Sequence, residues 1–290
     1  VRCRTVLLSH INLLPVGWLI KKISPKTRLI LMVHGVEVWD IPRGFRPFMI
    51  RSCDRIMCVS EFTRSKLLKW PGISPRQCVT LNNCLDPYLK PPVKKASGRT
   101  IRESLGFHDR DILMFTLARL RSAERYKGYD RVMNAMAILK DEFPDLKYVI
   151  AGHSDQTEEI YIRSLINEKR LQGRVLLSGF INEDELAEYF AAMDFYIMPS
   201  TGEGFGLVFI EALHFGLPVI AGNRDGSADA VDNGRLGILA DPYSVESIAS
   251  AIRTMIHSRD KFQPSPIAIE ARFGYAAYRP KLFDLLSLQT

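Results

Sequence analysis

Long apolar runs are scarce in this 290-residue chain. The strongest, at residues 205–209 and 210–213, are interrupted by Gly206 and Glu211 and fall well short of the roughly 20 residues that a membrane-spanning helix needs. No such helix is expected. Cysteines are few: the five, at positions 3, 53, 58, 78 and 84, form no C-x-x-C motif, and their number is odd. A disulfide framework is thereby excluded, and a reducing, cytoplasmic compartment is expected. Clusters of His, Cys, Asp and Glu at metal-ligand spacing are lacking, so no bound metal is expected. Low-complexity tracts and fixed-period repeats are lacking too, which excludes a disordered chain and a solenoid. What remains is 47% hydrophobic and 24% charged, an ordinary globular balance at a length that suits two domains of about 100–200 residues each.

Negative charge is thin in the first third. Residues 1–95 hold 17 Lys and Arg against 5 Asp and Glu, a net +12, whereas the rest holds 22 against 27, a net −5. A basic surface of this kind attracts phosphate, anionic lipid or nucleic acid, or is a solvated face. Within it, residues 43–70 interleave Arg46, Arg51, Arg55, Arg64, Lys66 and Lys69 with Phe45, Phe48, Phe62 and Trp70. Charges beside apolar side chains at helical spacing suit an anionic membrane surface. Nucleic acid is not expected as a partner, because these aromatics read as helix core.

From residue 112 onward, short apolar runs alternate with amphipathic stretches. Strands are expected at 112–117, 148–151, 175–178, 195–198, 218–221 and 237–239, and helices at 129–142, 158–169, 183–192, 207–215 and 227–232. The strand runs are apolar on both faces, which implies a parallel sheet covered by helices on both sides, with ligands collecting beyond the carboxyl ends of the strands. The first third repeats the rhythm, with strands expected at 6–9, 29–34, 56–59 and 79–81 and helices at 13–22, 45–53 and 61–70. A proline-rich stretch, 84–100, reads as the linker between two domains.

The most informative segment runs from Pro199 to Gly216. A strand ending at Met198 leads into a loop with glycines at 202, 204 and 206, and a helix opens at Leu207. Glycines let backbone approach a ligand, and a fresh helix offers free N–H groups and the positive end of its dipole, so the geometry suits a phosphate. A plain tight turn is the alternative. Glu211 sits on a helix that is apolar on nearly every side, where a carboxylate is costly without a partner, and Glu203 lies eight residues earlier in the glycine loop. Together they suit hydroxyls of a sugar or ribose. A nicotinamide fingerprint G-x-G-x-x-G starts at Gly202 and Gly204 but meets Leu207 where a third glycine belongs, although Asp225 stands near the spacing of a ribose acid. Arg119 and Lys127 flank the loop after strand 112–117, where two cations can neutralise a diphosphate; Arg121 and Arg125 compete for that assignment. His34, at a strand end before Gly35, either donates to a ligand or caps its own loop.

These residues resemble the retaining glycosyltransferases of family 4, which have the GT-B fold of two facing Rossmann-like domains. Glu203-Gly-Phe-Gly-Leu-Val-Phe-Ile-Glu211 is similar to that family's E-x7-E element. Leu117-Ala-Arg-Leu120, Lys127-Gly128, His34-Gly35, Val59-Ser60-Glu61, Gly216-Leu-Pro-Val219, Gly237-Ile-Leu-Ala-Asp-Pro242 and a terminal aromatic helix add to the likeness. The resemblance implies an α/β protein divided into a partial acceptor-side domain at 1–92, a nucleotide-sugar domain at 93–274, and a helix at 275–290 packing back toward the first domain. It implies transfer of a hexose from a UDP- or GDP-sugar to a hydroxyl acceptor with anomeric retention, without metal and with no cofactor beyond the donor. Glu203 would contact sugar hydroxyls, Glu211 the ribose, Arg119 and Lys127 the diphosphate, and His34 the sugar from across the cleft. Backbone of Gly204, Phe205, Gly206 and Leu207 would line the donor.

Two departures stand out. The family's Gly-Gly-x-x-Glu pattern is here Asp225-Gly-Ser-Ala-Asp229. The strand and glycine-rich loop that open the family's first domain are not found after Val1, so a longer first domain is expected and weak transfer by the 290-residue form with it. Two alternatives stay open: an inactive nucleotide-sugar-binding subunit, and a GT-B epimerase or phosphorylase. The basic first third adds an expectation of peripheral contact with the inner face of the cell membrane and a lipid-linked acceptor in polysaccharide or glycan synthesis.

Overall fold

The computed structural model describes residues 4–90, 93 and 98–286. Part of the expected linker, together with Cys3 and residues 287–290, lies outside the described residues. The first unit runs β1 (Thr5–Leu8), α1 (Leu14–Ile23), β2 (Arg28–Val33), α2 (Arg46–Met49), β3 (Arg55–Cys58), α3 (Glu61–Leu67) and β4 (Cys78–Thr80). Its four strands pair in parallel in the order β1-β2-β3-β4.

The second unit opens with α4 (Arg99–Ser104) and β5 (Ile112–Leu117), then α5 (Tyr129–Leu139), β6 (Leu146–Ala151), α6 (Gln156–Glu168) and β7 (Val175–Gly179). It continues through α7 (Leu186–Ala192), β8 (Phe195–Met198), α8 (Leu207–His214), β9 (Val219–Gly222), α9 (Ser227–Ala230) and β10 (Ile238–Ala240). Helices α10 (Val245–Ser258), α11 (Pro266–Phe273) and α12 (Tyr275–Leu286) end the described chain. The six strands are parallel in the order β10-β9-β8-β5-β6-β7, so the winding reverses between β5 and β8. Parallel strands carried by helices on both faces must be apolar on both sides. Val219, Ile220, Ala221 and all of β8 are accordingly buried.

The chain crosses between the units twice. The Leu85 N–H donates to the Phe273 carbonyl at 2.8 Å, tying the two crossings together. Beyond that point α12 lies on the first sheet, with Tyr278, Leu282, Leu285 and Leu286 packed against Ile30, Met57 and Leu81.

Several expectations need correction. The linker ends earlier than expected, because α4 begins at Arg99. Residues 45–53 do not form one helix; α2 has four residues, with a proline in its first turn, and gives way to a 3-10 turn at Ile50–Ser52. So short a helix buries little, and Phe45 and Phe48 face outward at 80% and 54% exposure instead of joining the core. Helices α10 and α11 were not among the expected elements. Both carry a serine cap, Ser244 accepting from the Ser247 N–H and Ser265 from the Ala268 N–H.

One buried charge fixes the loop after β5. Glu158, in the first turn of α6, is fully buried and accepts from Arg125 Nε at 2.9 Å, Arg125 Nη2 at 2.8 Å and the Tyr129 hydroxyl at 2.6 Å. Arg125 is therefore a structural cation and leaves the ligand-side role to its neighbours. Arg125→Ala strands the Glu158 charge with one remaining partner, at an expected cost of about 3 kcal/mol in urea unfolding. Pairing it with Glu158→Leu is expected to recover most of that loss.

Candidate active site

Reversal of strand order opens a crevice at the carboxyl ends of β5 and β8, the place where doubly wound sheets bind ligands. The loop after β8 crosses it. Its path is set by the Thr201 N–H, which donates to the Tyr126 carbonyl at 2.9 Å and joins it to the loop after β5. Gly206 turns the chain into α8 with φ +85°, a conformation that a side chain would strain, and no side chain caps the helix there. The first turn of α8 thus points unclaimed N–H groups at the crevice, with Leu207 exposed at its lip and Phe205 buried behind it.

The opposite wall comes from the first unit. A Cβ on Gly204 would lie 1.6 Å from the His34 carbonyl oxygen, and one on Gly35 would lie 2.7 Å from the Gly204 Cα. Bare backbone meets bare backbone across the cleft. His34 is exposed beside this contact; its ring Nε2 donates to the Ser9 carbonyl at 2.7 Å, and its backbone N–H donates to the Glu37 carboxylate. The ring's other nitrogen, Nδ1, is the one left to meet a ligand. The His10 ring stacks on it with centroids 6.2 Å apart.

Lys127 and Glu203, 76 residues apart in sequence, form an ion pair of 2.7 Å with side chains 11% and 17% exposed. Burial opposes the Lys127 charge, but Glu203 beside it, helped by Glu124, outweighs burial and lifts the ammonium above its ordinary range. Arg119 leans on Glu124 at 3.2 Å and is otherwise open to solvent, free to turn toward an anion in the crevice. Glu211 lies on α8 among buried Phe209, Ile210 and Ala212, and its carboxyl is pushed up by burial and then by Asp86 on the crossing segment. The structure therefore brings Lys127, Glu203, Gly204, Gly206 and Leu207 together, with His34 facing them and Arg119 at the rim.

Sequence reasoning missed two cleft residues. Asp229, the departure from the expected glutamate, reaches from α9 to accept from the Glu61 N–H at 2.8 Å and the Phe62 N–H at 3.4 Å, joining the units at the start of α3. Asp225, whose spacing kept a dinucleotide reading open, is buried and turned inward onto Ser200, Ser227 and the Glu203 N–H. The triplet Asp109-Arg110-Asp111 is a D-x-D sequence, but it precedes the amino end of the central strand β5, opposite the carboxyl ends that open on the crevice. Among the described residues no group of three His, Cys, Asp or Glu is arranged to hold a metal ion, and no helix is long and apolar enough to cross a membrane.

The Glu211 environment gives a pH signature. With its folded carboxyl raised above the unfolded value, charging Glu211 costs stability, so this contribution is present in acid and is lost as pH rises through the folded pKa. Glu211→Gln is expected to raise the melting temperature of the ligand-free protein at pH 7 by about 2–4 °C, with the gap closing toward pH 4. Differential scanning fluorimetry across that range checks it.

The family model for glycosyl transferases group 1 matches residues 98–278, more than half of the chain. Among curated proteins, the chain is 26% identical over 204 residues to mannosylfructose-phosphate synthase of Agrobacterium fabrum, covering 68% of this chain and 44% of that one. It is 26% identical over 281 residues to the GDP-mannose-dependent alpha-(1-6)-phosphatidylinositol monomannoside mannosyltransferase of Mycobacterium tuberculosis, covering 91% and 71%. The chain thus spans less than half the length of the first relative. Among solved structures, Anabaena HepE in complex with UDP superposes with a TM-score of 0.82 at 21% identity, over 98% of this chain and 79% of that one. That likeness gives the fold, two parallel-sheet units facing a cleft as in GT-B enzymes. With a matching family model and the E-x7-E loop seated at the strand-order reversal, the chain belongs to the group 1 glycosyltransferases.

Proposed function

We propose that this chain moves a hexose from a nucleotide-diphosphate sugar, UDP- or GDP-linked, to a hydroxyl acceptor with retention of anomeric configuration and without a metal. The observation that carries this reading is the Lys127–Glu203 pair at the mouth of α8, a cation and an acceptor side by side in one crevice. In this reading the diphosphate lies against the first turn of α8, with Lys127 and Arg119 neutralising the charge that grows as the sugar–phosphate bond breaks. Glu203 accepts hydrogen bonds from sugar hydroxyls, Glu211 from the ribose, and His34 approaches the sugar from across the cleft. The departing diphosphate takes the proton of the incoming hydroxyl on the face it leaves, so the protein supplies position and electrostatics.

A lipid-linked acceptor at an anionic surface completes the proposal. The mycobacterial relative carries a phosphatidylinositol acceptor in its name. On this chain Val16, Leu19 and Ile23 are exposed along one side of α1, with Lys22 and Lys26 beside them and Arg43, Phe45, Arg46 and Phe48 close by in sequence around α2. Trp18 touches Phe48 with centroids 6.4 Å apart and joins the two helices into one basic, apolar face.

Calorimetry with UDP and GDP, followed by hydrolysis of the matching sugar nucleotide, tests the site. One nucleotide is expected to bind, and Lys127→Ala is expected to weaken it about 10- to 100-fold through loss of a charge-assisted contact. Binding without turnover favours the inactive binding subunit, and an epimerised sugar or a sugar 1-phosphate as product would replace the transfer reading. Vesicle sedimentation tests the surface: retention on phosphatidylglycerol and not phosphatidylcholine vesicles is expected, falling as salt shortens the screening length to about 3 Å near 1 M.

A further inference from the structure

Three glycines within five residues make the loop after β8 costly to hold still, since glycine loses more backbone freedom on ordering than any other residue. Yet this loop carries Glu203, and both peptide groups around Glu203 are taken. Its N–H donates to Asp225 Oδ2 at 2.7 Å, and its carbonyl accepts from the Gly226 N–H at 2.8 Å. The same Oδ2 accepts from Ser200 Oγ at 2.6 Å, and Oδ1 accepts from the Ser227 N–H at 2.9 Å. Asp225 is 1% exposed, and the Ser227 hydroxyl adds a further hydrogen bond to its carboxylate. Contact between the strips is tight: a Cβ on Gly226 would lie 2.0 Å from the Gly204 carbonyl oxygen and 2.9 Å from that of Glu203.

We propose that Asp225 is a positioning residue, a buried carboxylate that fixes the backbone of Glu203 and thereby aims its side chain at Lys127 and the donor sugar. A glycine, which the Gly-Gly-x-x-Glu pattern has at this place, offers no such acceptor. Residues 225 and 226 instead grip Glu203 from both sides, one through a side chain and the other through its backbone N–H. The inference rests on the donor-site reading of Glu203, because what Asp225 positions matters through that carboxylate.

Asp225→Ala removes both accepting oxygens, so the Glu203 N–H and the Ser227 N–H both lose their partner. Ser200→Ala is the comparison variant: it removes a hydrogen bond to the same carboxylate and leaves the bond to Glu203 in place. Both are expected to lower the melting temperature by about 2–8 °C. With UDP-glucose or GDP-mannose, whichever the wild type hydrolyses, Asp225→Ala is expected to lower kcat about 10- to 100-fold with little change in KM, and Ser200→Ala to leave kcat near wild type. Hydrogen exchange over residues 200–207 of the ligand-free protein is expected to quicken in Asp225→Ala beyond its change in Ser200→Ala. A wild-type kcat in Asp225→Ala, or parallel losses in the two variants that follow their melting temperatures, overturns the proposal. If the wild type binds neither UDP nor GDP, the donor reading fails by itself. Exchange over residues 200–207 then decides for Asp225, and equal rates in the two variants overturn its role.

Discussion

A single ion pair, Lys127 with Glu203 at 2.7 Å, joins the loop after β5 to the loop after β8. The two strands are neighbours in the sheet, with Met114 paired to Phe195 although the two are 81 residues apart in sequence. Each charge is nearly shut off from solvent, so each needs the other: without Lys127 the Glu203 carboxylate would bear its desolvation cost, and without Glu203 the Lys127 ammonium would keep only the more distant Glu124, 3.9 Å away. The surrounding parts make this pairing possible. Glu158 holds Arg125 and so shapes the loop that delivers Lys127, and Asp225 holds the backbone that delivers Glu203. A site assembled this way keeps its two opposed charges at contact distance.

The ten strands were legible because a strand buried on both faces needs a continuous apolar run, and few other elements supply one of that length. Helices were legible where caps and amphipathic spacing agreed. Helix α10 shows Ile248, Ile252 and Met255 on a buried stripe behind the Ser244 cap, a signal as plain as those that were read. Phe45 and Phe48 misled for a physical reason: an aromatic at helical spacing reads as core only if the helix is long enough to bury a face, and α2 is not.

At the site, residue types were legible and partnerships were not. The E-x7-E spacing marks Glu203 and Glu211 by chemistry alone, but nothing local says that Lys127 will meet Glu203 or that Arg125 will be claimed by Glu158. Those facts follow from strand order, which joins segments far apart in the chain. Asp225 and Asp229 are the sharper case. As departures from a familiar pattern they invite a reading as lost function, whereas one supports the glycine loop and the other caps the first turn of α3 from the opposing unit.

The meeting of Gly35 with Gly204 has a kinetic side. Neither glycine has a side chain that could swing aside to make a doorway between them. Passage into and out of that part of the cleft then requires the halves to hinge apart, breaking the Asp229 contacts with α3 each time. Such an opening is a motion of whole units, of the kind that solvent viscosity slows.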